Sequence, residues 1–96
     1  MYALAFDLVV KDIRAQHPSG DAPRAYRDIY KTLTGLGFEW AQGSLYILKD
    51  EDMSVLFRGI NALMKLSWFP KSVRDIRAFR VEQWSDFTAT VKAGVP

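Results

Sequence analysis

The sequence predicts an α+β fold of the ferredoxin-like kind, with two helices on one face of a four-stranded antiparallel sheet. The chain has 96 residues, which is enough for one domain but not for two. Its hydrophobic fraction of 49% is sufficient to build a core. The predicted elements follow the order β-α-β-β-α-β with a short helix at the end, which is the ferredoxin-like order. We therefore expect residues 1–96 to form a single domain.

The first half of the chain contains a predicted strand and a predicted helix. Tyr2 to Val10 is predicted to be a strand, because apolar residues occupy both of its alternating faces with Asp7 as the exception. Residues 11–21 are predicted to form a loop, since they carry turn signals. Asp21 then begins a helix that ends at Gly35. The apolar stripe of this helix comprises Tyr26, Ile29, Tyr30 and Leu33.

The second half contains the remaining strands and helices. In order, they are strands over Phe38–Ala41 and Ser44–Leu48, a helix after the acidic run 50–52 that ends near Ser67, a strand over Val73–Val81 and a helix from Ser85 to Lys92. Two large helices cannot cover both faces of a sheet. The face left open is expected to pack against a second copy of the chain, which predicts a homodimer.

The composition excludes several classes of protein and site. The chain has no cysteine, which excludes a disulfide scaffold, a thiolate metal site and a cysteine nucleophile. His17 is the single histidine, so a zinc site would have to consist mainly of carboxylates. The longest apolar run, Ala3 to Val10, is too short to span a bilayer, and no basic region precedes it as in a signal peptide. We therefore expect a cytoplasmic protein with no membrane partner.

The excess positive charge is concentrated in one short segment. Residues 71–80 hold four bases and one acid, a net charge of +3, whereas the rest of the chain holds nine bases and ten acids. A basic strip of this kind attracts an anionic backbone such as that of a nucleic acid. The alternative is that these arginines pair with acids elsewhere in the fold or are simply solvated.

Two aspartates interrupt predicted strands. Asp7 lies within the first strand, and Asp75 lies within the last. An unpaired buried carboxylate costs several kcal/mol, so each acid requires a partner, a metal ion or an open cleft. Two neighbouring carboxylates can hold Mg²⁺ or share a proton, and either arrangement suits phosphodiester chemistry. A structural Asp–Arg pair that fixes the register of the sheet is the alternative.

Other polar and aromatic residues have ordinary structural interpretations. Ser44 follows Gln42-Gly43, where a serine commonly satisfies backbone groups of a turn. His17 is expected to be a solvated loop residue, although its usual pKa would suit a general base. The aromatic residues are expected to belong to the core rather than to stack on bases. They are Tyr26, Tyr30, Trp40, Trp68 and Phe69.

Several blocks of sequence resemble the virulence-associated protein D family of bacterial toxin-type endoribonucleases. They are Met-Tyr-Ala-Leu-Ala-Phe-Asp-Leu at 1–8, Gly-Phe-Glu-Trp-Ala-Gln-Gly-Ser-Leu-Tyr at 37–46, Trp-Phe at 68–69, Val-Arg-Asp-Ile-Arg-Ala-Phe-Arg-Val-Glu at 73–82 and Ser-Asp-Phe-Thr at 85–88. These blocks span the chain in a consistent order. The resemblance implies an RNA-cutting enzyme with a ferredoxin-like fold, related to the small CRISPR adaptation proteins.

The resemblance also implies functions for individual residues. It places Asp7 at the position of a first-strand aspartate that the wider group presents near the two-fold axis of a dimer. It gives Asp7, Ser44 and Asp75 as catalytic candidates, and Lys11, Ile13, Arg74 and Arg77 as residues that contact RNA. Asp7 is then also the candidate ligand of a divalent cation such as Mg²⁺. The toxin relationship raises an antitoxin protein as a partner beside RNA and the second copy.

The reaction route stays open at this stage. In one route, the RNA 2′-hydroxyl attacks the neighbouring phosphate without a metal. In the other, a divalent ion held by aspartates activates water. A non-catalytic ferredoxin-like module that binds nucleic acid or protein is the alternative function, because a fold does not determine function. Asp7 favours the enzyme, since a module that only binds polyanions gains nothing from a carboxylate beside its basic strip.

Overall fold

The computed structural model describes residues 1–94, in which four strands and five helices are formed. Their bounds are β1 Tyr2–Leu8, α1 Val10–Gln16, α2 Ala22–Thr34, β2 Glu39–Gln42, β3 Leu45–Leu48, α3 Met53–Met64, α4 Phe69–Ser72, β4 Val73–Arg80 and α5 Thr88–Ala93. No helix in this part of the chain is both long and apolar enough to cross a bilayer.

The four strands form one sheet in the order β2-β3-β1-β4, and every neighbouring pair is antiparallel. β1 lies in the centre, where Ala5 pairs with Leu45 of β3 on one side and with Arg77 of β4 on the other. This order and the position of the two long helices confirm the ferredoxin-like fold. Central placement of β1 explains why its sequence is apolar on both faces.

The core lies between the sheet and the helices. Alternate residues of β1, which include Leu4 and Phe6, are buried on this side. α2 contributes Ile29 and Leu33, both fully buried, at the spacing of one helical face. α3 packs Leu63 into the same cluster. The main core therefore lies on one face of the sheet.

Local signals in the sequence explain where the two long helices begin and end. Pro23 lies in the first turn of α2, where its missing N–H costs nothing. Gly37 follows the end of α2 with a φ of 96°, a conformation that favours glycine. Asp52 caps α3, and its side chain accepts a hydrogen bond from Ser54 N at 2.9 Å. That bond lowers the pKa of Asp52 below its ordinary value.

The structure corrects several predicted boundaries. The segment 11–21 was expected to be a loop, yet α1 occupies residues 10–16. Only Ile13 of this helix is buried, so its sequence contains no apolar repeat from which a helix could be predicted. α5 begins at Thr88, three residues later than predicted. The helix turn α4 separates α3 from β4, and its Phe69 packs in the core.

His17 is held between helices rather than solvated, which corrects its predicted environment. Its side chain is 7% exposed, and its Nε2 lies 2.7 Å from Asp28 Oδ2. Ser19 N donates to the ring Nδ1 at 3.1 Å, so Nε2 carries the proton that Asp28 accepts. The ring also packs edge-on against Trp68, with centroids 5.0 Å apart. These contacts connect the end of α1 to α2.

The face of the sheet opposite the helices, called the open face below, carries a mixture of side chains. Ala3 and Ile47 are 1% and 2% exposed, although they lie outside the main core cluster. Ala3 pairs with Ile47 on one side and Phe79 on the other, and these larger neighbours shield it. Phe79 itself is half exposed. A single chain does not test the predicted homodimer, which stays a prediction.

Candidate active site

Asp7 and Asp75 lie directly opposite each other on the neighbouring strands β1 and β4. Both point to the open face, and their side chains are 58% and 51% exposed. Asp7 interrupts an otherwise buried strand, as predicted, and its carboxylate has both an arginine partner and access to water. The two acids form an exposed pair on one surface, which confirms that the fold brings them together.

A β-bulge brings an arginine to this pair. Asp7 pairs with Asp75 but Leu8 pairs with Val73, so Arg74 is an extra residue on β4. Such bulges change the direction of a side chain and are common beside active sites. Arg74 Nη1 donates to Asp7 Oδ2 at 3.3 Å. The bulge therefore places a guanidinium beside a carboxylate that it would not otherwise reach.

Asp75 has an arginine partner of its own. Arg77 Nε donates to both carboxylate oxygens of Asp75, at 3.2 Å and 3.1 Å. Like charges placed directly across two strands repel each other, and the two guanidinium groups offset that repulsion. The Asp–Arg pairs that the sequence suggested as an alternative are therefore present. Exposed pairs of this kind are weak, typically about 0–1 kcal/mol, so an incoming phosphate can displace a carboxylate from its arginine.

The basic strip of residues 71–80 is largely paired within the chain. In addition to the contacts of Arg74 and Arg77 with their aspartates, Arg80 Nη2 lies 3.6 Å from Glu51 Oε2. Within residues 1–94, Lys71 has no carboxylate within 4.0 Å. Lys11 is exposed near the start of α1, four residues after Asp7. The strip therefore consists mainly of exposed ion pairs rather than of uncompensated charge.

Ser44 lies on the other face of the sheet. Its carbonyl accepts a hydrogen bond from Phe6 N at 3.1 Å, which places Ser44 opposite Phe6 at the end of β3. Phe6 and Ser44 face the helices, whereas Asp7 faces away from them. The structure thus places Ser44 at the same end of the sheet as Asp7 but does not bring the two side chains together.

Ile13 is not at the surface, where an RNA contact would require it to be. Its side chain is fully buried within α1 and belongs to the main core cluster. The implied role of Ile13 in RNA contact is therefore wrong. Ile13 packs in the core behind the end of β1 instead. Lys11, Arg74 and Arg77 are exposed, as an RNA-contacting residue must be.

The donor set for a metal ion is small. Within residues 1–94, no group of three or more His, Asp or Glu side chains is arranged to hold a metal. Mg²⁺ commonly uses one or two protein carboxylates and completes its shell with water and substrate phosphates. The Asp7–Asp75 pair fits that smaller requirement.

A second concave surface, here called the aromatic cleft, was not predicted from the sequence. It lies between α2 and the β2–β3 hairpin, has a volume of 660 Å³, and is lined among others by Tyr26, Tyr30, Trp40, Tyr46, Ser44 and Arg27. Tyr30 and Trp40 are 47% and 54% exposed, so the expectation that they belong to the core is wrong. Trp68 and Phe69 are each 3% exposed, so the expectation that these two aromatic residues belong to the core is confirmed.

The sequence held only a weak signal for this cleft. Tyr26 and Tyr30 are four residues apart and lie beside the stripe formed by Ile29 and Leu33. Trp40 lies in a strand of four residues at the edge of the sheet, where about half of its surface stays exposed. Burial raises the pKa of the Tyr46 hydroxyl above its ordinary value, and nearby Tyr30 adds to the effect. Only the placement of α2 against the hairpin brings these rings together.

Comparison with known proteins connects this geometry with a family. No protein-family profile matches the chain. Individual proteins do: the endoribonuclease VapD homolog of Neisseria gonorrhoeae is 59% identical over 93 residues, covering 97% of this chain and all of the relative. The chain belongs to the VapD endoribonuclease family. Endoribonuclease VapD of Haemophilus influenzae is 56% identical over 96% of this chain and 99% of its own length.

More distant VapD proteins match over similar lengths. Endoribonuclease VapD of Dichelobacter nodosus is 50% identical over 96% of this chain and 98% of its own length. The resemblance stated from the sequence is thereby confirmed at the level of the family. The roles of Asp7, Ser44 and Asp75 within VapD chemistry stay predictions for this chain.

Proposed function

We propose that this VapD chain cleaves phosphodiester bonds of RNA at a site built around Asp7 and Asp75. The observation that carries the proposal is the exposed pair of carboxylates on β1 and β4, each in contact with an arginine. Relatives that match almost the whole chain are named endoribonucleases, which supports RNA as the substrate. A surface that only bound RNA would not benefit from two acids at its centre.

Phosphate binding and base catalysis are coupled in this site. An RNA phosphate that binds Arg74 and Arg77 competes with the two carboxylates for the guanidinium groups. Asp7 released from Arg74 is free to accept a proton from the attacking hydroxyl. The arginines then stabilise the negative charge that develops on the phosphate oxygens, and Lys11 contributes a further positive charge.

Two routes fit these residues. In the first, Asp7 accepts the proton of the RNA 2′-hydroxyl, and the 2′-oxygen bonds to the adjacent phosphorus while the bond from phosphorus to the 5′-oxygen breaks. The departing 5′-oxygen takes a proton from water. In the second, Asp7 accepts a proton from water, and the water oxygen bonds to phosphorus while one bond from phosphorus to a sugar oxygen breaks. The departing oxygen takes a proton from water, and Asp7 and Asp75 are the residues that would hold Mg²⁺. A bound Mg²⁺ would supply charge stabilisation and make water a stronger nucleophile. Chelation separates the routes, because only the second loses activity in EDTA.

The proposal is tested by incubating RNA with wild-type protein and with Asp7→Asn and Asp75→Asn, each with EDTA and with added Mg²⁺. We expect Asp7→Asn to lower the cleavage rate by roughly 10²- to 10⁴-fold, as for loss of a general base. Glu82→Gln removes one exposed carboxylate outside the site and serves as the matched control. Undiminished cleavage by Asp7→Asn would contradict the proposal. RNA binding without cleavage by the wild type would favour the non-catalytic binding module.

We also propose that the chain forms a homodimer through the open face. Phe79 is half exposed there, next to Ala3 and Ile47, and a second copy would cover it. Residues after β4 present further exposed apolar side chains, namely Trp84, Phe87 and Val91. A two-fold axis near β1 would bring the Asp7 residues of both chains toward each other.

The biological setting is part of the same proposal. An enzyme that cleaves cellular RNA acts where that RNA is found, so we place this protein in the cytoplasm. An uncontrolled ribonuclease harms its own cell, and we expect an antitoxin protein that blocks access to Asp7. Co-expression with a candidate antitoxin should restore growth to cells that make the wild-type chain. It should change nothing in cells that make Asp7→Asn.

A further inference from the structure

The aromatic cleft has the chemistry of a site for a flat, polar ring. Two of its walls are the exposed rings of Tyr30 and Trp40, and its volume lies within the range of about 300–1,000 Å³ common for small-ligand pockets. Trp40 Nε1 donates to the carbonyl of Gly43 at 2.9 Å, which fixes the orientation of the indole. A fixed ring loses little conformational entropy when another ring stacks on it.

The floor of the cleft is also rigid. Tyr46 is 3% exposed, and its ring stacks on Phe6 with centroids 6.1 Å apart and an interplanar angle of 17°. Its hydroxyl is a hydrogen-bond donor at neutral pH, and burial raises the pKa of that hydroxyl further. A nucleobase offers both a flat face for stacking and edge atoms that accept such a bond.

Positive charge lies along one side of the cleft. Arg27 lines the aromatic cleft and also a neighbouring groove of 380 Å³, which Arg24 and Lys31 share. Within residues 1–94, neither Arg27 nor Lys31 has a carboxylate within 4.0 Å. These two cations are therefore available for phosphates on either side of a bound base.

We infer that the aromatic cleft binds an unpaired nucleotide of single-stranded RNA, with its base between Tyr30 and Trp40 and its phosphates on Arg27 and Lys31. The inference rests on the proposed function for the nature of the ligand. Bases in a duplex are stacked on each other and cannot enter such a cleft, whereas bases of a single strand can. Ser44 lines the same cleft at the end of the sheet where Asp7 lies on the opposite face. Ser44 is thus a positioning residue for the nucleotide held in the aromatic cleft.

The test measures binding without cleavage, by fluorescence anisotropy of a labelled single-stranded RNA of about ten nucleotides with variants in an Asp7→Asn background. We expect Tyr30→Ala and Trp40→Leu each to weaken binding by roughly 5- to 150-fold, the usual effect of losing one base–aromatic stack. Trp40→Phe keeps a ring and should retain most of the affinity. Arg27→Gln should lower the slope of log affinity against log salt by about 0.7, as for one lost phosphate contact.

The matched control is Phe57→Ala, which removes an equally exposed aromatic ring from α3 outside the cleft. It should leave affinity unchanged. A blunt duplex of the same length should bind equally to the wild type and to Tyr30→Ala. Unchanged affinity of both Tyr30→Ala and Trp40→Leu would overturn the inference. A cleft that binds a peptide rather than RNA would also leave the RNA affinity of both variants unchanged, and the inference would be wrong in that case too.

Failure of the proposed function has a different signature. The wild type would then bind single-stranded RNA through the aromatic cleft but would not cleave it.

Discussion

Arg74 shows how one added residue in a strand determines the surroundings of a carboxylate. We predict that Arg74→Gln lowers the rate of RNA cleavage while the free energy of unfolding changes by less than about 1 kcal/mol. Arg74 and Asp7 are both more than half exposed, so their contact contributes little to stability. Urea unfolding and a cleavage assay measure the two effects. Arg80→Gln is the control, since Arg80 contacts Glu51 at the other end of β4.

Asp28 stabilises the fold by accepting a hydrogen bond from His17. Asp28→Ala leaves the buried His17 Nε2–H without its acceptor. We expect a loss of about 1–3 kcal/mol of unfolding free energy, the usual cost of an unsatisfied buried donor. Thermal unfolding followed by circular dichroism measures it. Lys31→Ala, an exposed change on the same helix, should have little effect, and an equal loss in both variants would contradict the interpretation.

The individual site residues differed in how well the sequence could predict them. Asp7 stood out because a charge within an apolar strand has few structural explanations, and Asp75 because it is the one acid in a basic segment. Ser44 was assigned to the same site only by resemblance, and its face of the sheet depends on a pairing with Phe6 that no local pattern encodes. Tyr30 and Trp40 were expected in the core because they are aromatic. That prediction was wrong because hydrophobicity alone does not show which apolar residues remain exposed.

At the scale of elements, the contact between α3 and the core depends on the absence of a side chain. A Cβ on Gly59 would lie 2.6 Å from the ring atoms Cε1 and Cζ of the buried Phe38. We predict that Gly59→Ala destabilises the protein, since overpacking costs about 1–3 kcal/mol and the better helix propensity of alanine returns only about 1. Chemical denaturation measures the change. Asn61→Ala, on the exposed side of α3, should be neutral or stabilising instead.

Elements with strong local signals were predicted well, and short elements were not. β1 and α2 have clear periodicity and clear end signals, and their predicted spans agree with the structure to within about two residues. α1 and α4 bury only Ile13 and the pair Phe69 and Ser72, respectively, which is too few for a repeat. Their helical form depends on contacts with each other and with β1, which the sequence does not show directly.

At the scale of the whole molecule, the open face determines assembly. We predict that the wild type elutes and scatters light as a dimer at micromolar concentration, and that Phe79→Asp converts it to a monomer. A charge at Phe79 would have to be buried without a partner in the dimer. Phe57→Asp on α3 is the control and should leave the mass unchanged. A monomeric wild type, or a dimer that survives Phe79→Asp, would exclude the open face as the interface.

The position of β4 has a consequence for solubility. Within residues 1–94 it pairs with β1 alone, so its outer side presents unpaired N–H and C=O groups along eight residues. Such an edge is a template on which another extended chain can add, and charged side chains discourage that addition. Arg74, Arg77 and Arg80 are spaced along this edge. These three arginines, two of which are proposed to hold RNA, would therefore also keep the strand from pairing with other chains, and removing all three together would make the protein prone to aggregate.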